Sequence, residues 1–593
     1  MHIYAIAYIC KIGKINMKYQ TETKLCQNCE KDFIIELEDF SFYEKMKVSA
    51  PTFCPECRLI RRLIWRNERS LYKRECDLCK KKVISIYDRE VPFSVFCKEC
   101  WKSYAWDAMS YGLSYNPNKT FFSQWFELFN KVPRVSIVQY GDCVNSEYAN
   151  SIKDVKNVYL AYSIVYDSEN VFYSKNVERS KNIIDCLNIT DSEYQYGCIN
   201  GDHNYQCQYV FYSASCIDSY FLLDCSNCSN CFGCVNLRNK SYCIWNEQYD
   251  RESYFKILKE IKVDSYKFVS ENDKKFWDFS LKFPRKYSRI LNCINSSGDD
   301  LRNCKNVSNA FYIYDSEDTK YAHRCLKLKD CMDVTYNANT TMSYEHAAGG
   351  SDQSSVIKFV IYGAPALNEV EYIDNCSSSS HIFGCIGIKN KKYCILNKQY
   401  EKDEYEKLVE KIKSDMNQNP YIDKNDRVYK YGEFFPFEFS PFGYNETVIN
   451  EIFPLSKEEA IQMGYSWKDK EDNKYDITLK AKDLSDNIKD VKDSILNETI
   501  ECGKSGKPFR ITQYELEFYR KMNIPLPRLH QDERYKNRMQ IKGPIYKIWH
   551  RSCVCHEITH GHNEKCQNQF ETTYAPERPE KVYCEDCYKK EIY

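Results

Sequence analysis

Phe232-Gly233-Cys234-Val235-Asn236-Leu237-Arg238-Asn239-Lys240-Ser241-Tyr242-Cys243-Ile244 ends one block of this chain, and Phe383-Gly384-Cys385 through Tyr393-Cys394-Ile395 ends a second, 151 positions later. Gln248-Tyr249 answers to Gln399-Tyr400. The segments that follow match too: Tyr254, Ile257, Leu258 and Ile261 lie at helical spacing, as do Tyr405, Leu408, Val409 and Ile412. Residues 136–416 are therefore a duplication, each half closed by a short helix, at 250–262 and 401–413.

Inside each half runs a shorter rhythm. Asn157-Val158, Asn170-Val171 and Asn182-Ile183 recur at 12 or 13 residues, and Glu193-Tyr194 follows after 11. Cys198, Cys207, Cys216, Cys225, Cys234 and Cys243 fall nine apart. Short polar-turn-strand units predict a parallel β-solenoid in which each coil buries its apolar side chains against its neighbours, with Ser, Asn and Asp supplying the turns. The drift in period counts against this reading, because a clean solenoid holds one period. Cys225, Cys228, Cys231 and Cys234 are three apart, close to a bacterial ferredoxin run. The second half has Cys376, Ser379, Ile382 and Cys385 there, so small core cysteines are preferred to an iron–sulfur cluster.

The ends read differently. Cys26-x2-Cys29 and Cys54-x2-Cys57 are 24 residues apart, and Cys76-x2-Cys79 and Cys97-x2-Cys100 are 17 apart. Two thiolates three positions apart reach one ion, and two such knuckles make a closed tetrahedral site, the structural type of zinc centre. A closed site has no position for a water, so these ions would fold the chain and not catalyse. Near the C-terminus Cys553, Cys566, Cys584 and Cys587 form a third set, with Cys555, His560 and His562 as rivals for the place of Cys553. Three Zn2+ ions are expected. The first ribbon frame also recurs 476 positions on, as Cys502, Ser505, Phe509, Phe518-Tyr519, Pro527, His530, Glu533, Arg534 and Arg538. Cys502, His530 and Glu533 make an incomplete mixed set, which is expected not to bind.

Residues 25–62, with Cys-x-x-Cys, Phe33, Phe42-Tyr43, Pro51 and Cys54-Pro55-Glu56-Cys57-Arg58, resemble a bacterial zinc-ribbon family. That resemblance implies a small zinc-binding fold and no particular ligand. The whole chain resembles uncharacterised cysteine-rich bacterial proteins with end zinc ribbons and a Tyr/Asn-rich middle, a group that supplies no activity.

The expected fold is mainly β with short helices: terminal zinc-ribbon or treble-clef-like modules flanking a duplicated solenoid-like middle. The segments are a non-native or disordered extension at 1–18 (Met17 reads as an alternative start), ribbons at 19–62 and 63–118, and a helical connector at 119–135. Solenoid halves at 136–283 and 284–418 follow, then a linker with short helices at 419–498. A degenerate ribbon copy at 499–545 and a C-terminal zinc module at 546–593 complete the chain.

Function is less legible. With 84 basic and 84 acidic residues among 593, no global field steers the chain to nucleic acid or membrane. No apolar run reaches the ~18 residues of a membrane span. Abundant Cys-x-x-Cys pairs without an export signal point to metal binding in the cytoplasm. Arg58, Arg61, Arg62, Arg66, Arg69, Lys73 and Arg74, with Lys80–Lys82, form a local basic stretch near Trp65 that suits an RNA or DNA backbone. The competing reading pairs that helix with acidic segments of the same chain, such as Glu36 to Asp39. No nucleophile elbow, phosphate loop or metalloprotease helix occurs. Asp202-His203 and Glu345-His346 put acids beside histidines, but adjacent strand residues should face opposite ways. The expectation is a zinc-stabilised binding protein, associated with nucleic acid through residues 58–82. The alternatives are a scaffold that binds protein or glycan on its solenoid faces, and an enzyme with a site in the solenoid groove.

Overall fold

The computed structural model describes residues 19–349, 354–363, 365–469, 475–543 and 546–593; the extension 1–18 lies outside them. The chain is mainly β with short helices, and its middle is a parallel β-solenoid. Among the described residues no helix is long and apolar enough to cross a membrane.

The solenoid has a period that the sequence rhythm conceals. Every third residue takes a positive φ: Asn170, Tyr173, Asn176, Arg179, Asn182, Asp185, Asn188 and Asp191 run in succession. An L-residue is disfavoured there, and least so Asn and Asp, whose short polar side chains bond locally. Four such corners close a coil of 12, so Lys175 pairs in parallel with Leu187 and Tyr205 with Ile217. Side-chain amides reinforce the corners from coil to coil: Asn157 donates to Asn170 at 2.9 Å, and Asn170 to Asn182 at 3.0 Å.

The residue after each corner points inward, and the other two point out. Val171, Ser174, Val177, Ser180, Ile183, Cys186 and Ile189 are all buried inside. The 13-residue spacing from Asn157 to Asn170 comes from one extra residue at Tyr166-Asp167, where both take positive φ and the register shifts. Between Asn157 and Asp191 the apparent drift is thus one bulge in a 12-residue repeat, whereas in the second half Thr340 pairs with Ser354, 14 residues on, and Ser355 with Asn368, 13 on. The narrow interior favours small side chains with one polar atom. Ser174 Oγ accepts from the Cys186 amide one coil on, at 3.0 Å. Cys225 Sγ donates to the Cys234 carbonyl at 3.6 Å and Cys234 Sγ to that of Cys243 at 3.5 Å, which accounts for the nine-residue series.

The chain gathers into two compact units, each built from two separate stretches. One joins the N-terminal modules, through Ser136, to Arg289–Lys468. The other joins Ile137–Ser288 to Asp469–Tyr593. Each therefore combines a solenoid half with one end of the chain. Both halves finish alike, in an antiparallel turn and a capping helix: Tyr242 meets Tyr254, and Tyr393 meets Tyr405, with ring centroids 5.7 Å apart in each case.

In the first unit the helix Phe121–Phe129, capped by Thr120, lays its aromatic face on the solenoid. Trp125 Nε1 donates to the Tyr372 carbonyl at 3.1 Å and its ring lies 4.3 Å from Phe435 of the aromatic linker. In the second unit the degenerate ribbon copy packs on Phe172, Ile184 and Tyr196, while the helices Arg251–Glu260 and Tyr266–Ser280 cover Leu187, Ile199, Phe211 and Leu223. Two adjacent sides of that half are covered. The other two meet at an outer column in which Arg179, His203, Ser215, Asn227 and Asn239 are exposed.

Candidate metal centres

Three groups of four cysteines hold their sulfurs within 4.8 Å of one another: Cys26, Cys29, Cys54 and Cys57; Cys76, Cys79, Cys97 and Cys100; Cys553, Cys566, Cys584 and Cys587. One design recurs. A short hairpin carries the first knuckle, on Glu22–Leu25 with Asp32–Ile35, on Tyr72–Glu75 with Lys82–Ser85, and on Trp549–Ser552 with Gln569–Thr572. The third cysteine of each set is the N-cap of a helix: Pro55–Leu63, Lys98–Lys102 and Glu585–Ile592. Its amide donates to the first cysteine of its set: Cys54 to Cys26 at 3.3 Å, Cys97 to Cys76 at 3.2 Å, Cys584 to Cys553 at 3.3 Å.

The donor chemistry fits a cation. Burial opposes ionisation of Cys76, but the amides of Cys79, Cys97 and Leu78 outweigh it and bring the thiol down to about 7. In the first group the Cys54 and Cys57 thiols hydrogen-bond Cys26 and favour its thiolate, while Cys54 is pushed up to about 12 by bonding to Cys26. Four crowded thiols cannot all ionise alone. A divalent ion removes that conflict, and four thiolates leave it no open position.

The degenerate copy keeps the knuckle without the ligands. Gly503 N donates to Arg528 O at 3.0 Å, as Gln27 N donates to Thr52 O at 3.2 Å. Gly506, at φ 69°, stands where Glu30 takes φ 56°. Where the second pair of sulfurs would lie, His530 caps the helix Gln531–Lys542 and Glu533 pairs with Lys536 at 2.8 Å and Lys504 at 3.4 Å. Among the described residues Cys502, His530 and Glu533 do not converge into a metal-binding group. Neither do Cys225, Cys228, Cys231 and Cys234, the four inward residues of a single lap of the coil.

The basic stretch at 58–74 turns inward. Arg58, Arg61 and Arg62 are at most 1 % exposed. Arg58 Nε and Arg62 Nη1 meet the two oxygens of Asp333 at 2.8 and 2.9 Å. Arg61 spans Glu345 at 2.6 Å and Glu433 at 2.7 Å. Arg66 pairs with Glu68 at 2.6 Å, Arg69 with Glu451 at 3.8 Å, and Arg74 with Asp77 at 2.9 Å. The expected phosphate-facing row is instead the clamp between ribbon and solenoid. Only Lys73 and Lys80–Lys82 of the stretch are exposed. Intramolecular pairing does occur, with Asp333, Glu345 and Glu433 in place of Glu36 to Asp39.

The two acid–histidine pairs separate. Asp202 and His203 both face outward, since two of every three residues do, and Oδ1 lies 2.8 Å from Nδ1. Strand alternation misplaces them. Glu345 is a corner that faces the arginines, whereas His346 points into the interior, beside Asn337 Nδ2 at 2.7 Å. Burial lowers the His346 pKa to about 3. No period-two reading could find the coil that holds Asn337, Thr340, Ser343 and His346; a period of three would.

Compared with known proteins, the chain matches no family model and no curated protein.

Proposed function

We propose that this chain is a non-catalytic, zinc-stabilised scaffold of a reducing cytoplasm that binds a protein partner along the open sides of its solenoid. All-thiolate closed sites favour zinc over harder ions, and the resemblance of residues 25–62 to a zinc-ribbon family agrees with it. The observation that carries the reading is the division of the solenoid surface. Covered sides are clamped by the ribbon arginines, and what is left carries in-register rows of Asn, Asp, Ser and Tyr. On the second unit's open side Tyr205 and Ile217, directly paired, are 41 % and 44 % exposed. An aromatic and an aliphatic side chain flanked by Glu193, Gln206, Asp218 and Ser229 suit a protein surface better than a phosphate backbone.

The test compares proteins retained from nuclease-treated lysate by the wild type and by Tyr205→Ala/Ile217→Asp. Partners held by the wild type and lost by the variant support the reading. Partners lost on nuclease treatment, or kept by the variant, overturn it. The first of those outcomes would favour nucleic acid at Lys73 and Lys80–Lys82, the second reading.

A further inference from the structure

The C-terminal module departs from the other two by an insertion. Cys76 and Cys79 are three apart, but Cys553 and Cys566 are thirteen apart, so ten residues enter the first knuckle. The knuckle closes around them: Cys566 N donates to the Cys555 carbonyl at 2.9 Å, and Cys553 keeps its place among the four sulfurs. The inserted segment makes a single turn, Ile558–His560, that ends at Gly561 with φ 88°. That turn carries Cys555, His560 and His562 back against Cys587. The ligand atoms of these four residues also lie within 4.8 Å of one another.

We propose that the module holds two divalent ions that share the Cys587 thiolate, one on Cys553, Cys566, Cys584 and Cys587, the other on Cys555, His560, His562 and Cys587. Both imidazoles are oriented for it. His562 Nδ1 lies 2.6 Å from the Glu564 carbonyl, which only accepts, so Nδ1 carries the proton and Nε2 keeps its lone pair, 3.5 Å from Cys587 Sγ. His560 turns Nε2 to the Glu591 carboxylate at 3.6 Å and Nδ1 to Cys555 Sγ at 3.2 Å. A histidine whose far nitrogen meets a carbonyl or carboxylate is the usual arrangement of a metal ligand. Cys555 is fully buried and His560 is 9 % exposed, so the group is built into the module.

Charge supports the second ion. With one ion, the four thiolates of the first set leave a net charge of about −2 in a buried site. Five thiolates with two ions leave about −1, with Cys555 now counted as a metal-bound thiolate.

This inference adds one ion to the three of the proposed reading. Metal analysis of the purified full chain should give four ions, falling to three in His560→Ala/His562→Ala with the other sites intact. Three in both proteins overturns the second ion and leaves the three-ion reading standing; fewer than three in the wild type overturns that reading also. Four in both places the extra ion elsewhere and equally overturns the inference. Cadmium-113 exchange tests the bridge: two resonances should show mutual coupling through the shared sulfur, and their absence of coupling removes Cys587 as a common ligand.

Discussion

Asp333 in one unit and Asp185 in the other stand at the same corner of the coil, between its two covered sides, and each receives two arginines from a docked helix. Arg58 and Arg62 reach Asp333; Arg534 and Arg538 reach Asp185, at 2.8 and 2.7 Å. The arginines of each pair are four apart, one helical turn, so both lie on the face that meets the solenoid. The copy that has only Cys502 of the four cysteines makes the same contact, with Asn537 at the position of Arg61. Docking thus does not require the four-cysteine set.

Asp333 is the more deeply committed of the two. Replacing it by Ala leaves Arg58 and Arg62 buried beside an absent partner, and breaking a buried pair from one side costs ~3–5 kcal/mol. Urea unfolding of Asp333→Ala should show a loss of that size, and the joint variant Arg58→Met/Arg62→Met/Asp333→Leu should recover most of it. A loss under about 1 kcal/mol, the range of a surface ion pair, would show that water reaches the site.

Because the degenerate copy retains the knuckle hydrogen bonds, its metal site should be restorable. Ser505→Cys/His530→Cys/Glu533→Cys should bind one ion more per chain than the wild type, with tighter resistance of that unit to proteolysis when loaded. No added ion would mean that the pairs Lys504 and Lys536 make with Glu533 reflect a backbone already moved away from tetrahedral geometry.

Thiols should fall into two reactivity classes. Burial pushes Cys207, Cys325, Cys331 and Cys376 up to about 12. The thiolate is the reactive form, so at pH 8 these residues should resist alkylation in the folded chain and react once it unfolds. Mass mapping after iodoacetamide, with and without urea, reads both states. Removing metal with a chelator should expose the ribbon cysteines first, while the solenoid series stays protected. Early labelling of Cys207 or Cys325 would mean that the coils open with the ribbons.

The sequence made the duplication, the capping helices and the knuckles legible, because each rests on local spacing that the fold uses unchanged. The coil was harder to see. A three-residue side leaves only one residue in three to mark the interior, and Ser174, Ser180 and Cys186 sit there without looking apolar as a series. The one-residue bulge at Tyr166-Asp167 then shifted the frame. The arginines were found as a set, but their partners Asp333, Glu345 and Glu433 lie some 270 to 370 positions away, where no local pattern connects them. Local spacing likewise separates Cys555, His560 and His562 from Cys587, which only the folded module joins.

His346 ties stability to pH. Its pKa falls to about 3 in the folded chain because the imidazole is buried, against ~6.5 when unfolded. The unfolded state therefore binds the extra proton between those values. Stability from this residue is fully present above about pH 6.5 and is lost as pH falls toward 3, at up to ~1.4 kcal/mol per pH unit. The urea midpoint of the wild type should decline from pH 6.5 to 5, and His346→Gln should decline less over the same interval, whatever its offset at pH 7. Parallel declines in the two proteins would show that the acid sensitivity belongs to other groups, such as the carboxylates that hold the arginines.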